Sequence, residues 1–214
     1  MDNQFTPINN KKIWIITLLI IAINIIFKIW NIFSMSMYED EPFTLFIAQQ
    51  SLDEIINIHK HDSNPFVHTI IMHYWFKIFG LHLWAGKLYS VILSSLSAGL
   101  LFKLFYKRFG LIMPLVAALL YTLSGLNYFH AQEMRVYPQL ILLTILSIYF
   151  FTELIFNPNR KTGIYLGITH LVLLMSHYTA FFLPLAELGI LLFYLKSHKQ
   201  TVKYFIVSQI LAAL

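Results

Sequence analysis

The sequence predicts an all-α polytopic membrane protein, a bundle of transmembrane helices with amphipathic helices in its first external loop, and three observations carry that reading. Apolar residues make up 58% of the chain and charged ones only 12%, with a mean hydropathy of +0.67, outside the range of soluble domains. The apolar residues come in long runs. The basic residues fall in the segments between those runs, with a bias that orients the chain in a bilayer.

The first run, "IWIITLLIIAINIIFKIWNIF" from Ile13 to Phe33, reaches roughly 30 Å as a helix, the width of the hydrocarbon layer. Its length, and the lack of a small-residue cleavage site after it, separate it from a cleavable signal peptide. Lys28 inside it is expected to snorkel to the interface. Further spans are expected from Trp84 to about Phe102, Leu111 to Leu126, Pro138 to Phe156, Gly163 to Met175, Tyr178 to Leu195, and from Tyr204 onward. The stretch "PFVHTIIMHYWFKIFG" is shorter and carries two histidines and a lysine, so it is expected to lie in the interface instead of crossing.

Charge decides that last choice. With Pro65–Phe79 lying flat, Lys103, Lys107, Arg108, Arg160, Lys161, Lys196, Lys199 and Lys203 all share the face of Lys11 and Lys12; a crossing there inverts every later basic loop. The amino terminus is then cytoplasmic, and Glu39, Asp40, Glu41, Asp53, Glu54, Asp62 and Glu133 face outward. The net charge of +5 is a topology signal and needs no nucleic-acid partner. Cysteine is absent, so there is no disulfide framework. The run from Tyr204 stops short of a full span. Residues 1–214 are therefore expected to form a single transmembrane domain, the amino-terminal portion of a longer protein, with residues 34–83 as its first external loop.

The outward segments hold the candidate chemistry. In "YEDEPFT", Pro42 suits the first turn of a helix, which leaves Asp40 and Glu41 where free N–H groups and the helix dipole favour a carboxylate. Capping alone is the ordinary outcome for Asp-Glu-Pro. Glu39 beside them, and further polar segments returning to the same face, argue for more. "SLDE" has a plainer explanation as a capping box between Ser51 and Glu54. "HKHDSNPFVH" offers Asp62 and Asn64 to a polar site; its histidines are ligand types for a divalent cation, but their spacing matches no known ligand pattern. "NYFHAQEMRVYP" crowds Gln132, Glu133, Arg135 and Tyr137 into one turn. An outward arginine runs against the topological bias, so it should meet a partner. Residues at i,i+2 diverge on a helix, so Glu133 and Arg135 are expected to meet different partners, and a phosphate suits the guanidinium fork. "MSHYTAFF" brings Ser176, His177 and Tyr178 to the same face. Lys87, at the entrance of the Trp84 span, either snorkels or holds an anionic lipid headgroup.

Taken in order, "DEPFTLFIAQQSLDEII", "HDSNPFVHTIIMHYWFKIFG", "AGKLYSVILSSL", "YFHAQEMRVYPQLILL" and "SHYTAFFLP" resemble the amino-terminal half of the polyprenyl-phosphate-sugar-dependent glycosyltransferases of the GT-C superfold, relatives of protein O-mannosyltransferases and aminoarabinose transferases. The resemblance runs from Tyr38 to about Glu187. It implies a GT-C-like helix bundle in the bacterial inner membrane. It also implies an enzyme that moves a sugar from a polyprenyl-phosphate donor to a lipid, glycan or protein acceptor on the non-cytoplasmic face, inverting the anomeric centre. By the same resemblance Asp40 is the catalytic base or acceptor-positioning acid, with Glu41 beside it. Gln132, Glu133, Arg135 and Tyr137 form the donor pocket, and Asp62, Lys87 and His177 are expected to contact substrate. Two departures stand out: "DSNPF" has Asn64 and a single proline where the family commonly has His-Pro-Pro, and Lys87 replaces the usual arginine. No cofactor is required by this reading, and a divalent cation is left open. The competing classes are a transporter or lipid flippase, disfavoured because Glu153 and Glu187 are the only acids in the later spans, and a noncatalytic membrane scaffold.

Overall fold

In lipid, backbone polar groups have only each other as partners, so long runs of Ile, Leu and Phe must fold as helices. The computed structural model describes residues 9–30, 32–34, 36–38, 40–62, 64–194 and 199–213; Glu39 and Lys196 lie outside the described residues. Among the described residues there is no strand, and the order is α1 (Asn10–Ile29), α2 (Glu41–Ala48), α3 (Leu52–His59), α4 (Val67–Phe79), α5 (Leu83–Phe109), α6 (Ile112–Leu123), α7 (Gly125–Ala131), α8 (Tyr137–Phe156), α9 (Arg160–Leu174), a 3-10 turn (Tyr178–Phe181), α10 (Phe182–Tyr194) and α11 (Lys199–Ala212).

Three of these helices, α1, α5 and α8, are long and apolar enough to cross a membrane. The expected Leu111–Leu126 span is instead broken, with α6 and α7 meeting at a 63° bend. Ser124 makes the break: its backbone is extended and its hydroxyl accepts from the Asn127 N–H at 3.4 Å, starting a new helix in a new direction. At 15, 13 and 14 residues, α9, α10 and α11 each reach only about 20 Å, short of the hydrocarbon width. The 13 residues of α4 likewise fall short of a crossing, in keeping with the reading of Pro65–Phe79. At α3 the expected capping box is present: Ser51 Oγ accepts from the Glu54 N–H, and the Glu54 carboxylate accepts from the Ser51 N–H and hydroxyl. Those bonds, the hydroxyl first, hold the Glu54 carboxyl below its ordinary range.

The described residues divide into two compact units, one drawn from Met1–Phe46 and Tyr74–Leu142, the other from Ile47–His73 and Leu143–Leu214. In the first, α1 packs along α5, and Gly99 makes room for Ile21, whose side chain an added Cβ would overlap. Ile13, Phe102 and Ala118 are buried together there. Lys28 corrects an expectation. It does not snorkel but is fully buried, its Nζ donating to Ser94 Oγ at 2.8 Å and standing 4.8 Å from the Tyr121 ring centroid. It points into the seam between α5 and α6, where a hydroxyl and an aromatic face offset part of its desolvation.

In the second unit α9 lies against α11 along two glycines one turn apart. A Cβ on Gly163 would come 3.0 Å from the Tyr204 carbonyl oxygen, and one on Gly167 2.9 Å from that of Ser208, so the absent side chains are what lets the backbones approach. Beside this seam four polar side chains interlock. Ser147 Oγ lies 2.7 Å from Glu187 Oε1 and 2.8 Å from His170 Nε2, Glu187 Oε2 lies 3.0 Å from the same nitrogen, and Gln209 Nε2 lies 3.1 Å from His170 Nδ1. Glu187, read from the sequence as an acid within a span, is thus bound into a network drawn from α8, α9, α10 and α11.

Gly167→Ala is expected to lower stability by about 1–3 kcal/mol through overpacking, whereas Gly189→Ala, with nothing within 4 Å of the added Cβ, should raise it by about 0.5–1 kcal/mol. Unfolding midpoints in detergent compare the two; equal shifts of the same sign would sink the close-packed α9–α11 seam.

Candidate active site

Asp40 and Glu41 open α2 as the proline signal requires, the Asp40 carbonyl accepting from the Phe43 and Thr44 N–H groups at 3.1 and 3.2 Å. Their side chains then part. Glu41 turns inward: Oε2 accepts from the Tyr38 N–H at 2.7 Å, Oε1 from the Met134 N–H at 2.6 Å, and Lys87 Nζ stands 3.7 Å from Oε2. Lys87 in turn donates to the Ser36 carbonyl at 3.0 Å. Neither side chain reaches solvent, at 0% exposure for Glu41 and 1% for Lys87. Lys87 therefore neither snorkels nor stands open to a headgroup, as its place at the helix entrance had suggested. A carboxylate facing inward at α2 offers it a better partner than the interface does. Gly86 beside it leaves space for Met134, whose side chain a Cβ there would overlap.

The segment after α7 makes the opposite wall. Gln132 is buried and donates from Nε2 to the Lys28 carbonyl at 3.0 Å, tying this turn to the end of α1. Glu133 and Arg135 diverge as expected. Glu133 Oε2 lies 2.8 Å from His130 Nδ1, and Arg135 Nη2 lies 3.0 Å from Asp40 Oδ2. Tyr137, the first residue of α8, has its ring centroid 4.5 Å from the His130 ring and 5.9 Å from Arg135 Cζ. Phe129 continues the aromatic wall, 5.5 Å from His130 and edge-on to Tyr38 at 5.5 Å. The Asp40 side chain is 64% exposed and that of Arg135 24%, so their ion pair is open to water and contributes up to about 1 kcal/mol. An incoming anion can exchange for the carboxylate at little cost.

Asp62 and His177 belong to the second unit. Asp62 Oδ1 accepts from the Asn64 N–H at 3.4 Å, and with Lys60 and Phe66 it lines a cavity of about 350 Å³. The histidines of that loop do not converge: His59 uses Nδ1 on the Asn64 carbonyl and Nε2 on the Thr69 hydroxyl, at 2.8 and 2.9 Å. Among the described residues no group of three or more His, Asp or Glu side chains is placed to hold a metal ion. His177 caps the 3-10 turn, its Nδ1 2.8 Å from Thr179 Oγ1 and its ring stacked on Tyr178. One residue of the first unit escaped the sequence reading. His130 is three positions before Glu133, the spacing at which helical neighbours meet, and "HAQE" carried that signal.

An all-helical chain with three helices long and apolar enough to cross a membrane has the architecture of a polytopic membrane protein. Residues 63–214, more than half of the chain, match the family described as dolichyl-phosphate-mannose-protein mannosyltransferase, and the chain belongs to that family. It is an integral-membrane glycosyltransferase of the class that takes its sugar from a lipid-linked donor. Lys87, Gln132, Glu133, Arg135, Tyr137 and His177 fall within the matched residues, while Asp40, Glu41 and Asp62 precede them. No curated protein and no solved structure matches the chain.

Glu41→Gln is expected to cost about 3–5 kcal/mol by leaving Lys87 buried without a counter-charge, and the double variant Glu41→Gln/Lys87→Met to recover much of it. Thermal unfolding of the three proteins is the measurement, and a single variant as stable as wild type would remove the pair from its structural role.

Proposed function

We propose that this protein transfers a hexose, mannose or a related sugar, from a polyprenyl-phosphate-linked donor to an acceptor hydroxyl on the non-cytoplasmic face of a bacterial inner membrane, in one inverting displacement. The observation that carries the reading is the Asp40–Arg135 contact, which joins an exposed carboxylate to a partly exposed guanidinium. A lipid-phosphate sugar already holds a good leaving group. What remains for the protein is to hold the acceptor near the anomeric carbon and to stabilise charge on the departing phosphate.

Asp40 holds and polarises the acceptor hydroxyl. Arg135 grips the donor phosphate in its fork, and Tyr137 keeps the guanidinium in place from the side. In the displacement the acceptor oxygen bonds to the anomeric carbon as its proton passes to a neighbouring base of the site; the bond from that carbon to the phosphate oxygen breaks, its electron pair staying on the phosphate. Glu41 and Lys87, enclosed and paired, act as positioning residues for both walls, and Gln132 anchors the arginine-bearing turn. The apolar helices offer the prenyl tail a surface of matching chemistry. Asp62, beside a cavity of sugar-like size, and His177 are assigned to contacts with the substrates, whose acceptor is a lipid, glycan or protein.

Asp40→Asn is expected to cut transfer from a labelled polyprenyl-phosphate sugar by about 100-fold or more while inserting and unfolding like wild type; equal transfer by both would take Asp40 out of the reaction. Arg135→Ala should raise the donor concentration needed for half-maximal rate by about 10- to 100-fold, the worth of a charge-assisted contact. An unchanged donor dependence would count against the phosphate role.

A further inference from the structure

The resemblance brings no role to His130, yet the structure surrounds it as it would an oriented base. Glu133, only 6% exposed, holds Nδ1 at 2.8 Å. An ionised carboxylate only accepts, so Nδ1 carries the hydrogen and Nε2 is the nitrogen turned away from it. Among the described residues no hydrogen bond reaches Nε2, and the side chain keeps 21% of its exposure. The ring is fixed from two sides by Tyr137 and Phe129. Tyr137 also neighbours the Arg135 guanidinium, so imidazole and guanidinium share one aromatic support.

Two other histidines lack these properties. His170 is fully buried with both nitrogens engaged, and His59 spends both on Asn64 and Thr69. A proton placed on His130 Nε2 leaves an imidazolium facing the Glu133 carboxylate. Of the charged and titratable groups nearby, Glu133 and Tyr137 touch the imidazole itself, Arg135 adjoins Tyr137, Asp40 pairs with Arg135, and Tyr38 adjoins Phe129.

We propose that His130, oriented by Glu133, is a further catalytic residue whose Nε2 takes the proton of the acceptor hydroxyl, while Asp40 positions that hydroxyl and Arg135 the donor phosphate. The inference rests on the sugar-transfer reading. The acceptor O–H bond breaks and its proton goes to Nε2. The oxygen bonds to the anomeric carbon, and the carbon–oxygen bond to phosphate breaks with its pair on the leaving phosphate. The imidazolium then returns its proton to the phosphate dianion or to water.

The test is the pH dependence of kcat/KM for the full-length enzyme between about pH 5 and 9, the range across which an ordinary histidine titrates. The phosphodiester donor keeps its charge there, so a loss of rate on the acid side reports the protein. Two variants separate roles. His130→Asn keeps a donor at the Nδ1 position for Glu133 but has no Nε2, and is expected to melt like wild type, lose about 100-fold in rate and lose the acid limb. Asp40→Asn is expected to be slow and to keep that limb. Glu133→Gln frees the tautomer and should slow the enzyme to a similar extent as His130→Asn. If His130→Asn melts early, His130→Gln carries the same expectation for the limb. A limb that survives in the His130 variants, or that vanishes in Asp40→Asn alone, overturns the proposal and leaves sugar transfer standing. A wild-type enzyme with no transfer at any pH removes both.

Discussion

The buried carboxylate of Glu41 is the constraint on which the site depends. A charge with no access to water must be met by donors and a counter-charge or the fold loses several kcal/mol. Glu41 finds them in three places: the Tyr38 N–H before α2, the Met134 N–H in the turn after α7, and Lys87 at the start of α5. Those segments are far apart in sequence, and satisfying one carboxylate fixes all of them. Asp40 and Arg135 meet because the residues beside them, Glu41 and Met134, are already tied.

Two ion pairs side by side thus do different work. The Glu41–Lys87 pair is closed, and its partners stay together because the alternative is an orphaned charge. The Asp40–Arg135 pair is more open and weak, which suits the exchange for substrate that the proposed function asks of it. The small residues support the same division. Gly86 gives Met134 its space, and the turn reaches α5 closely enough for the inner pair to form. Gly99 does the same between α1 and α5 in this unit, and Gly163 and Gly167 between α9 and α11 in the other.

Much of this was legible in the residues. Long apolar runs and the placement of Lys and Arg gave an all-helical membrane protein, Ser51 and Glu54 gave a capping box, and i,i+2 spacing separated Glu133 from Arg135. These are local rules, each decided by a few neighbours in the chain. Lys28 and Lys87 were read as interface residues because a long amphipathic side chain can bury or snorkel, and the choice lies with partners that sequence does not identify: Ser94 and Tyr121 for one, Glu41 for the other. The bend at Ser124 was hidden for a related reason. Its apolar flanks continue a span-like run, and only the serine's capping bond marks the change of direction. His130 is marked in the sequence only by its i,i+3 spacing to Glu133, a weaker signal than the charged residues that follow it.

The contrast in exposure between the two ion pairs sets how the protein meets dissolved ions. At physiological ionic strength the screening length is about 8 Å in water, and it acts on Asp40 and Arg135 but hardly on an enclosed Glu41 and Lys87. Added salt therefore loosens the Asp40–Arg135 contact while the Glu41–Lys87 pair behind it stays intact. Under the proposed reaction, rate and resistance to unfolding become separately adjustable properties, one answering to the surrounding electrolyte and the other sealed from it.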